Sequence, residues 1–274
     1  MKKLLLAALF TVLAVFTAAC GTSSSEEGEN QVIKVGASPV PHAEILEEAK
    51  PLLKEMGYEL EIVEFTDYVL PNKSLEEKEI DANYFQHIPY LESQKAEHGY
   101  DFVNAGGIHI EPIGVYSKKY KSLEELPEGA TIIMSSSVAD HGRMLSMLEE
   151  KGLIKLKDGV EKTEATIDDI AENPKNLQFK ADIEAPFLTK AYENNEGDAI
   201  LINGNFALDA GLDPSKDAIA LESPKDNPYV NVIAVRSEDK DSEKIKALVE
   251  VLQSEEIKEF INSKYQGSVI PAAE

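Results

Sequence analysis

Short apolar runs alternate along the chain with segments in which apolar residues return at helical spacing. Val32 to Gly36 reads as a strand; after Pro41, residues Ile45, Ala49, Leu52, Leu53 and Met56 form one helical face until Gly57 stops it. Leu60 to Phe65 is a second strand. Pro89 to His98 reads as a helix with proline in its first turn and Gly99 as terminator. Phe102-Val103 and Ile113 to Tyr116 are strand candidates, and Ser122 to Glu125 has the spacing of a capping box. Ile132 to Met134 predicts a strand, followed by a helix from about Asp140 to Lys151 that Gly152 closes. The alternation goes on through Leu177–Ala181 (strand), Pro186–Tyr192 (helix), Ala199–Ile202 (strand) and Phe206–Ala210 (short helix). Val230 to Val235 is the last strand, and helices over Asp241–Gln253 and Glu255–Lys264 finish the chain. Such alternation predicts an α/β architecture with largely parallel sheets, whose ligands sit beyond the carboxyl ends of the strands.

The first residues follow a different pattern. Lys2 and Lys3 precede an apolar run from Leu4 to Phe16, then Ala18, Ala19 and Cys20, the single cysteine of the chain. A positive start, an apolar stretch and a small-residue cleavage site define a secretory signal over 1–19. The run is shorter than the roughly 20 apolar residues of a membrane-spanning helix. A cysteine directly after the small residues implies a lipoprotein signal, with Cys20 as the lipidated first residue of the mature chain, carrying diacylglycerol on its sulfur and an N-acyl group such as palmitate. Gly21 to Gln31, rich in Ser, Gly and Glu, reads as a tether over 20–31. These features predict a domain held at the extracytoplasmic face of the cell membrane by lipid.

Charge narrows the partners. The chain has 27 Lys and Arg against 50 Asp and Glu, a net −23 that becomes −25 once Lys2 and Lys3 leave with the signal. A surface of that sign repels phosphate backbones, so nucleic acid is excluded as a partner, and adhesion to anionic lipid by charge is excluded with it. The roughly 240 residues after the tether suffice for one large domain or two lobes.

Several segments that follow strands carry a recognisable set of residues: Gly36 to Leu46 (GASPVPHAEIL), Phe65 to Asn72 (FTDYVLPN), Asp81 to Leu91 (DANYFQHIPYL), Pro112 to Ser117, Gly142-Arg143, Leu153 to Leu156, Glu184 to Pro186, Ile202-Asn203 and Pro228 to Asn231. Their content and order resemble the methionine-binding lipoproteins that feed bacterial methionine ABC importers, with Asp81 to Leu91 as the most specific stretch. The resemblance implies a two-lobed periplasmic-binding-protein fold with ligand clamped at the hinge. Lobe one would comprise 32–116 plus 229–274 and lobe two 117–228, with crossings near Tyr116 and Tyr229. It further implies that Tyr68, Phe85, His87 and Tyr90 line the pocket from the first lobe, Arg143 and Asn203 from the second, and Asn231 from the return crossing. His42 would be a supporting residue in the first loop. The implied partners are methionine or a related amino acid or dipeptide, an ABC permease and its ATPase.

The residue types suit that role. An amino acid is a zwitterion: its carboxylate favours the planar fork of Arg143, and its ammonium needs acceptors such as the carbonyls of Asn203 and Asn231. A thioether gains from the aromatic edges of Tyr68, Phe85 and Tyr90. The family usually has an asparagine in the turn before the Gly-Arg pair, whereas Ser135 to His141 runs SSSVADH here and puts Asp140 close to the anion site; it would repel a ligand carboxylate unless it caps the helix that begins there, and capping is the expectation. A second importer class competes, the zinc or manganese receptors, through His42-x-Glu44 and His109-x-Glu111. The five histidines are scattered along the sequence, with no His-rich loop or cysteine set, so no metal and no cofactor are expected. Nothing matches a Gly-x-Ser-x-Gly elbow, His-Glu-x-x-His or a P-loop, and a lipidated thiol is no nucleophile, so the chain reads as a binding protein and not an enzyme.

Overall fold

The computed structural model describes residues 31–272. Cys20, the signal and nearly all of the tether lie outside the described residues. Among the described residues, thirteen strands are distributed over two larger sheets and one ribbon. They are β1 (Val32–Ala37), β2 (Glu59–Glu64), β3 (Ala82–His87), β4 (Phe102–Ile110), β5 (Gly114–Tyr116), β6 (Thr131–Ser135), β7 (Lys155–Leu156), β8 (Ile170–Glu172), β9 (Gln178–Ile183), β10 (Ala199–Ile202), β11 (Ala220–Leu221), β12 (Val230–Arg236) and β13 (Ile270–Pro271).

The first sheet has the order β13-β4-β12-β3-β1-β2. β1 runs parallel to β2 and β3, while β12 lies antiparallel between β3 and β4. Helices Glu44–Glu55, Glu243–Leu252 and Glu255–Tyr265 bury Ile45, Leu53, Leu248, Val251, Ile257 and Ile261 against one of its faces. The second sheet has the order β11-β5-β10-β6-β9, parallel from β10 through β6 to β9 and antiparallel at β5 and β11. Helix Val138–Glu150 supplies Met144, Leu145 and Leu148 to its core. The molecule is thus a two-lobed α/β protein, each sheet flanked by helices, with the chain passing between the sheets.

The structure moves or redefines several expected elements. Gly114–Tyr116 hydrogen-bonds within the second sheet, so the outbound chain changes sheets over 111–113, ahead of the crossing expected near Tyr116. The return passes between Leu221 and Val230. Ser122 forms no side-chain cap on the short turn Leu123–Glu125; Glu125 reaches the backbone N–H of Lys121 instead, at 2.8 Å. β3 carries no strand signal in the sequence because its Asn83 and Gln86 are polar yet buried. Their amides are satisfied by one another and by Asn72 in a closed set of hydrogen bonds of 2.8–3.1 Å.

Candidate ligand-binding site

The carboxyl ends of β3 and β10 face each other across the gap between the lobes, and the side chains there line one narrow cavity. Tyr68, Phe85, His87, Tyr90, Arg143, Asn203 and Asn231 all line this one cavity. Each element places its residue for a local reason. His87 ends β3 and serves as N-cap of helix Ile88–His98: its Nδ1 accepts the Tyr90 backbone N–H at 3.1 Å. That bond leaves the proton on Nε2, which donates to Asp140 Oδ1 at 2.9 Å. Asn203 follows β10 directly and begins helix Gly204–Asp209.

The aromatic residues form a wall. Ring centroids of Tyr68, Phe85 and Tyr90 stand 5.9–6.0 Å apart in each pairing. Tyr90 Oη donates to the Tyr68 carbonyl at 2.9 Å, and Tyr68 Oη donates to Asn205 Oδ1 on the other lobe at 2.6 Å. The tyrosine hydroxyls are therefore tied down, and the ring faces and edges are what the cavity meets.

Arg143 is not an open fork. Its Nε and Nη2 donate to the Glu222 carboxylate, and Nη2 also donates to the Glu111 carbonyl at 2.7 Å. Its guanidinium stacks over Tyr229, 4.6 Å from the ring centroid. Only Nη1 makes no hydrogen bond among the described residues, and Asp140 Oδ1 lies 4.0 Å from it. Although burial opposes the charge, the Glu222 carboxylate holds the guanidinium more firmly protonated than usual. The Gly-Arg pair also has a backbone rationale. A Cβ on Gly142 would stand 2.2 Å from the Lys162 carbonyl, so only glycine lets helix Val138–Glu150 approach the 162–164 turn this closely.

The two asparagines present opposite groups. His42 Nε2 faces two acceptors, Asn231 Oδ1 at 3.0 Å and Glu111 Oε1 at 3.2 Å, so it carries the proton. Asn231 Oδ1 is thereby engaged, and its Nδ2 is the group left for the cavity: a donor, where an acceptor had been expected. Asn203 is the reverse. Its Nδ2 donates to Asp140 Oδ2 at 3.0 Å, while its Oδ1 is buried with no partner among the described residues. Asp140 does not cap the helix. The N-cap is Ser137, and Asp140 sits within the first turn, 1% exposed, with its carboxylate turned to His87, Asn203 and the cavity. Burial alone would raise its pKa; the His87 and Asn203 hydrogen bonds and the Arg143 charge outweigh it and hold it below the usual carboxylate range.

Gln86, Glu111, Gly204 and Asn205 also line the cavity and were not anticipated. Asn205 lies three residues past the end of β10, where the strand-end rule could have found it. Glu111 appeared in the sequence only as half of a metal motif. The structure brings His42, His109 and Glu111 together, against their separation in sequence, with ligand-capable atoms within 4.8 Å of one another. His109 Nε2 donates to Glu111 Oε1 at 2.7 Å, and its Nδ1 accepts from Tyr84 Oη. Burial depresses His42 to about 4 and His109 to about 3 and raises Glu111. The group reads as a hydrogen-bonded cluster under the cavity floor, its protons already shared between neighbours at contact distances.

A deep interlobe cavity with a cation donor, a free amide acceptor, a free amide donor and an aromatic wall defines a substrate-binding protein of the two-lobed type. The chain belongs to the NlpA lipoprotein family, whose model matches residues 33–273. It is 57% identical to the methionine-binding lipoprotein MetQ of Bacillus subtilis over the full length of both chains. Among solved structures, a putative methionine-binding lipoprotein from Bacillus subtilis has a TM-score of 0.88 at 56% identity, covering 90% of this chain and all of that one. A nutrient-binding protein of Burkholderia cenocepacia bound to methionine has a TM-score of 0.82 at 45% identity, covering 88% and 100%. These relatives are described as binding proteins, the two from Bacillus as lipoproteins, and the chain is accordingly not an enzyme.

Proposed function

We propose that this protein is the extracytoplasmic receptor of an ABC importer, anchored by lipid on Cys20, which captures methionine or a close derivative between its lobes and delivers it to the permease and its ATPase. The observation that carries the reading is the sorting of unused polar groups in one buried cavity. Arg143 Nη1 and Asn231 Nδ2 donate, Asn203 Oδ1 accepts, and the Tyr68–Phe85–Tyr90 wall stands beside them. Donors serve the ligand carboxylate, the acceptor serves its ammonium, and the aromatic edges suit a thioether.

The metal-receptor reading has the His42–His109–Glu111 cluster in its favour. Against it, the 2.7 Å contact of His109 with Glu111 is a hydrogen bond, shorter than the spacing of two donors around a shared zinc with bonds of about 2.0–2.1 Å. The test is mass spectrometry of small molecules released on denaturing the purified protein, followed by calorimetric titration of the protein with L-methionine, D-methionine, methionine sulfoxide, a methionine dipeptide and Zn²⁺. Saturable heat with a methionine compound and none with zinc is the expected result. Stoichiometric zinc binding without any methionine binding would replace this reading with the metal one.

A further inference from the structure

Charge does not balance in the cavity as it stands. Arg143 is one guanidinium shared between two carboxylates: Glu222, which holds its Nε and Nη2, and Asp140, 4.0 Å from its Nη1. Both Arg143 and Asp140 are more than nine-tenths buried, so neither is screened by solvent to any useful degree. A ligand carboxylate arriving at Nη1 brings a further negative charge to within a few ångströms of Asp140, and like charges in a buried site are costly. An α-ammonium on the same ligand supplies the missing cation. Its carboxylate and ammonium are separated by about the distance that separates Arg143 Nη1 from Asp140 Oδ1, so the zwitterion fits head to tail against that pair.

We infer that Asp140 is the specificity-determining residue that admits ligands with a free α-ammonium and rejects carboxylates lacking one. This rests on the amino-acid receptor reading above and adds to it a charged partner for the ammonium. Two features of the site support it. Each oxygen of Asp140 accepts one hydrogen bond, from His87 Nε2 and from Asn203 Nδ2, and an ionised carboxylate has about four acceptor positions, so capacity remains. The Asn203 bond also leaves the Oδ1 of that amide buried and without a partner among the described residues, at a residue that lines the cavity, and so offers the ammonium a second acceptor. The depressed pKa of Asp140 agrees with a carboxylate that stays ionised.

The test compares L-methionine with its desamino analogue, 4-(methylthio)butanoate, by calorimetry on the detergent-solubilised full-length protein and on Asp140→Asn. The wild type should favour methionine by at least a hundredfold. In Asp140→Asn, methionine binding should weaken at least tenfold while the desamino analogue binds more tightly, because the repulsion has gone with the charge. The two ligands thus move in opposite directions, which a general disturbance of the pocket would not produce. If methionine binds Asp140→Asn as tightly as wild type or tighter, or both ligands weaken alike, the inference is overturned while the receptor reading stands. If the variant fails to fold, the wild type decides: binding of the analogue within tenfold of methionine overturns the inference, and a hundredfold gap upholds it. Absence of methionine binding to the wild type overturns the receptor reading, and the inference with it.

Discussion

Arg143 commits Nε and Nη2 to Glu222 and the Glu111 carbonyl, so in the proposed receptor a ligand meets a guanidinium already held in place, with Nη1 as the group it can use. Preorganisation of this kind removes the entropy that a free arginine would lose on binding. Truncating one member of a desolvated charge pair typically costs about 2–5 kcal/mol, and about 1.4 kcal/mol is a tenfold change in affinity. Arg143→Ala should therefore weaken methionine binding by well over tenfold in a calorimetric titration. The same change leaves Glu222 buried without its cation, so the unfolding temperature should fall as well. Arg143→Lys should recover little, because one ammonium cannot serve Glu222, Glu111 and a ligand in the geometry of a planar fork. A folded Arg143→Ala protein with unchanged affinity would move the carboxylate site elsewhere. Sequence motifs pointed to Arg143, but the bond to Glu222 crosses 79 positions and has no sequence signature. The turn of Asp140 into the cavity was equally hidden: its place in the chain gave a helix start, and which side of the helix faces the other lobe is a tertiary fact.

At the scale of elements, the periodic helices and the apolar strands were legible, whereas β3 was not. A strand whose Asn83 and Gln86 are buried breaks the alternation rule, and it becomes intelligible only when Asn72, from helix Leu70–Glu76, arrives to satisfy them. β4 was read only at Phe102-Val103 because Asn104, Gly106, Gly107 and His109 disguise the rest of its length. That strand brings His109 against His42, which lies in the tight turn Pro39–Ala43, so two remote segments are joined by a neutral histidine pair beside Glu111. The pairing has a consequence for acid stability. An unfolded histidine takes up its proton near 6.5, while burial holds His42 to about 4 and His109 to about 3 in the folded chain. Between those values the unfolded state binds more protons, so stability falls as pH falls. The contribution is complete above 6.5 and is lost progressively on acidification toward 4. Urea midpoints at pH 7 and pH 5 should differ by more in the wild type than in His42→Gln, and equal pH sensitivity would remove the histidines from the account.

At the scale of the whole molecule, the lobes are drawn together by polar links across the cavity: His87 to Asp140 at 2.9 Å and Tyr68 to Asn205 at 2.6 Å, with the Phe206 ring tilted against Tyr68 at a centroid distance of 5.0 Å. The two crossings are tied to each other where Glu222 donates its backbone N–H to the Ile113 carbonyl at 3.0 Å and its side chain accepts the Ile113 N–H at 3.1 Å. Hinge and clamp therefore share one residue, since Glu222 also holds Arg143. A ligand touching both lobes adds contacts that exist only when they are closed, so ligand should shift the population toward the closed form. Methionine should reduce the radius of gyration in small-angle scattering. It should also raise the melting temperature, because it binds only the folded state. At a hundredfold excess over Kd the gain is about 2.7 kcal/mol, which at roughly 2–4 °C per kcal/mol for a chain of this size amounts to a rise of about 5–10 °C. Tyr68→Phe, which removes the link to Asn205 while keeping the aromatic wall, should leave ligand-free protein more open and enlarge the change in radius on binding. A melting temperature that rises with no change in radius, in wild type and variant alike, would mean that the ligand enters lobes already shut, and the closing motion would have to be given up.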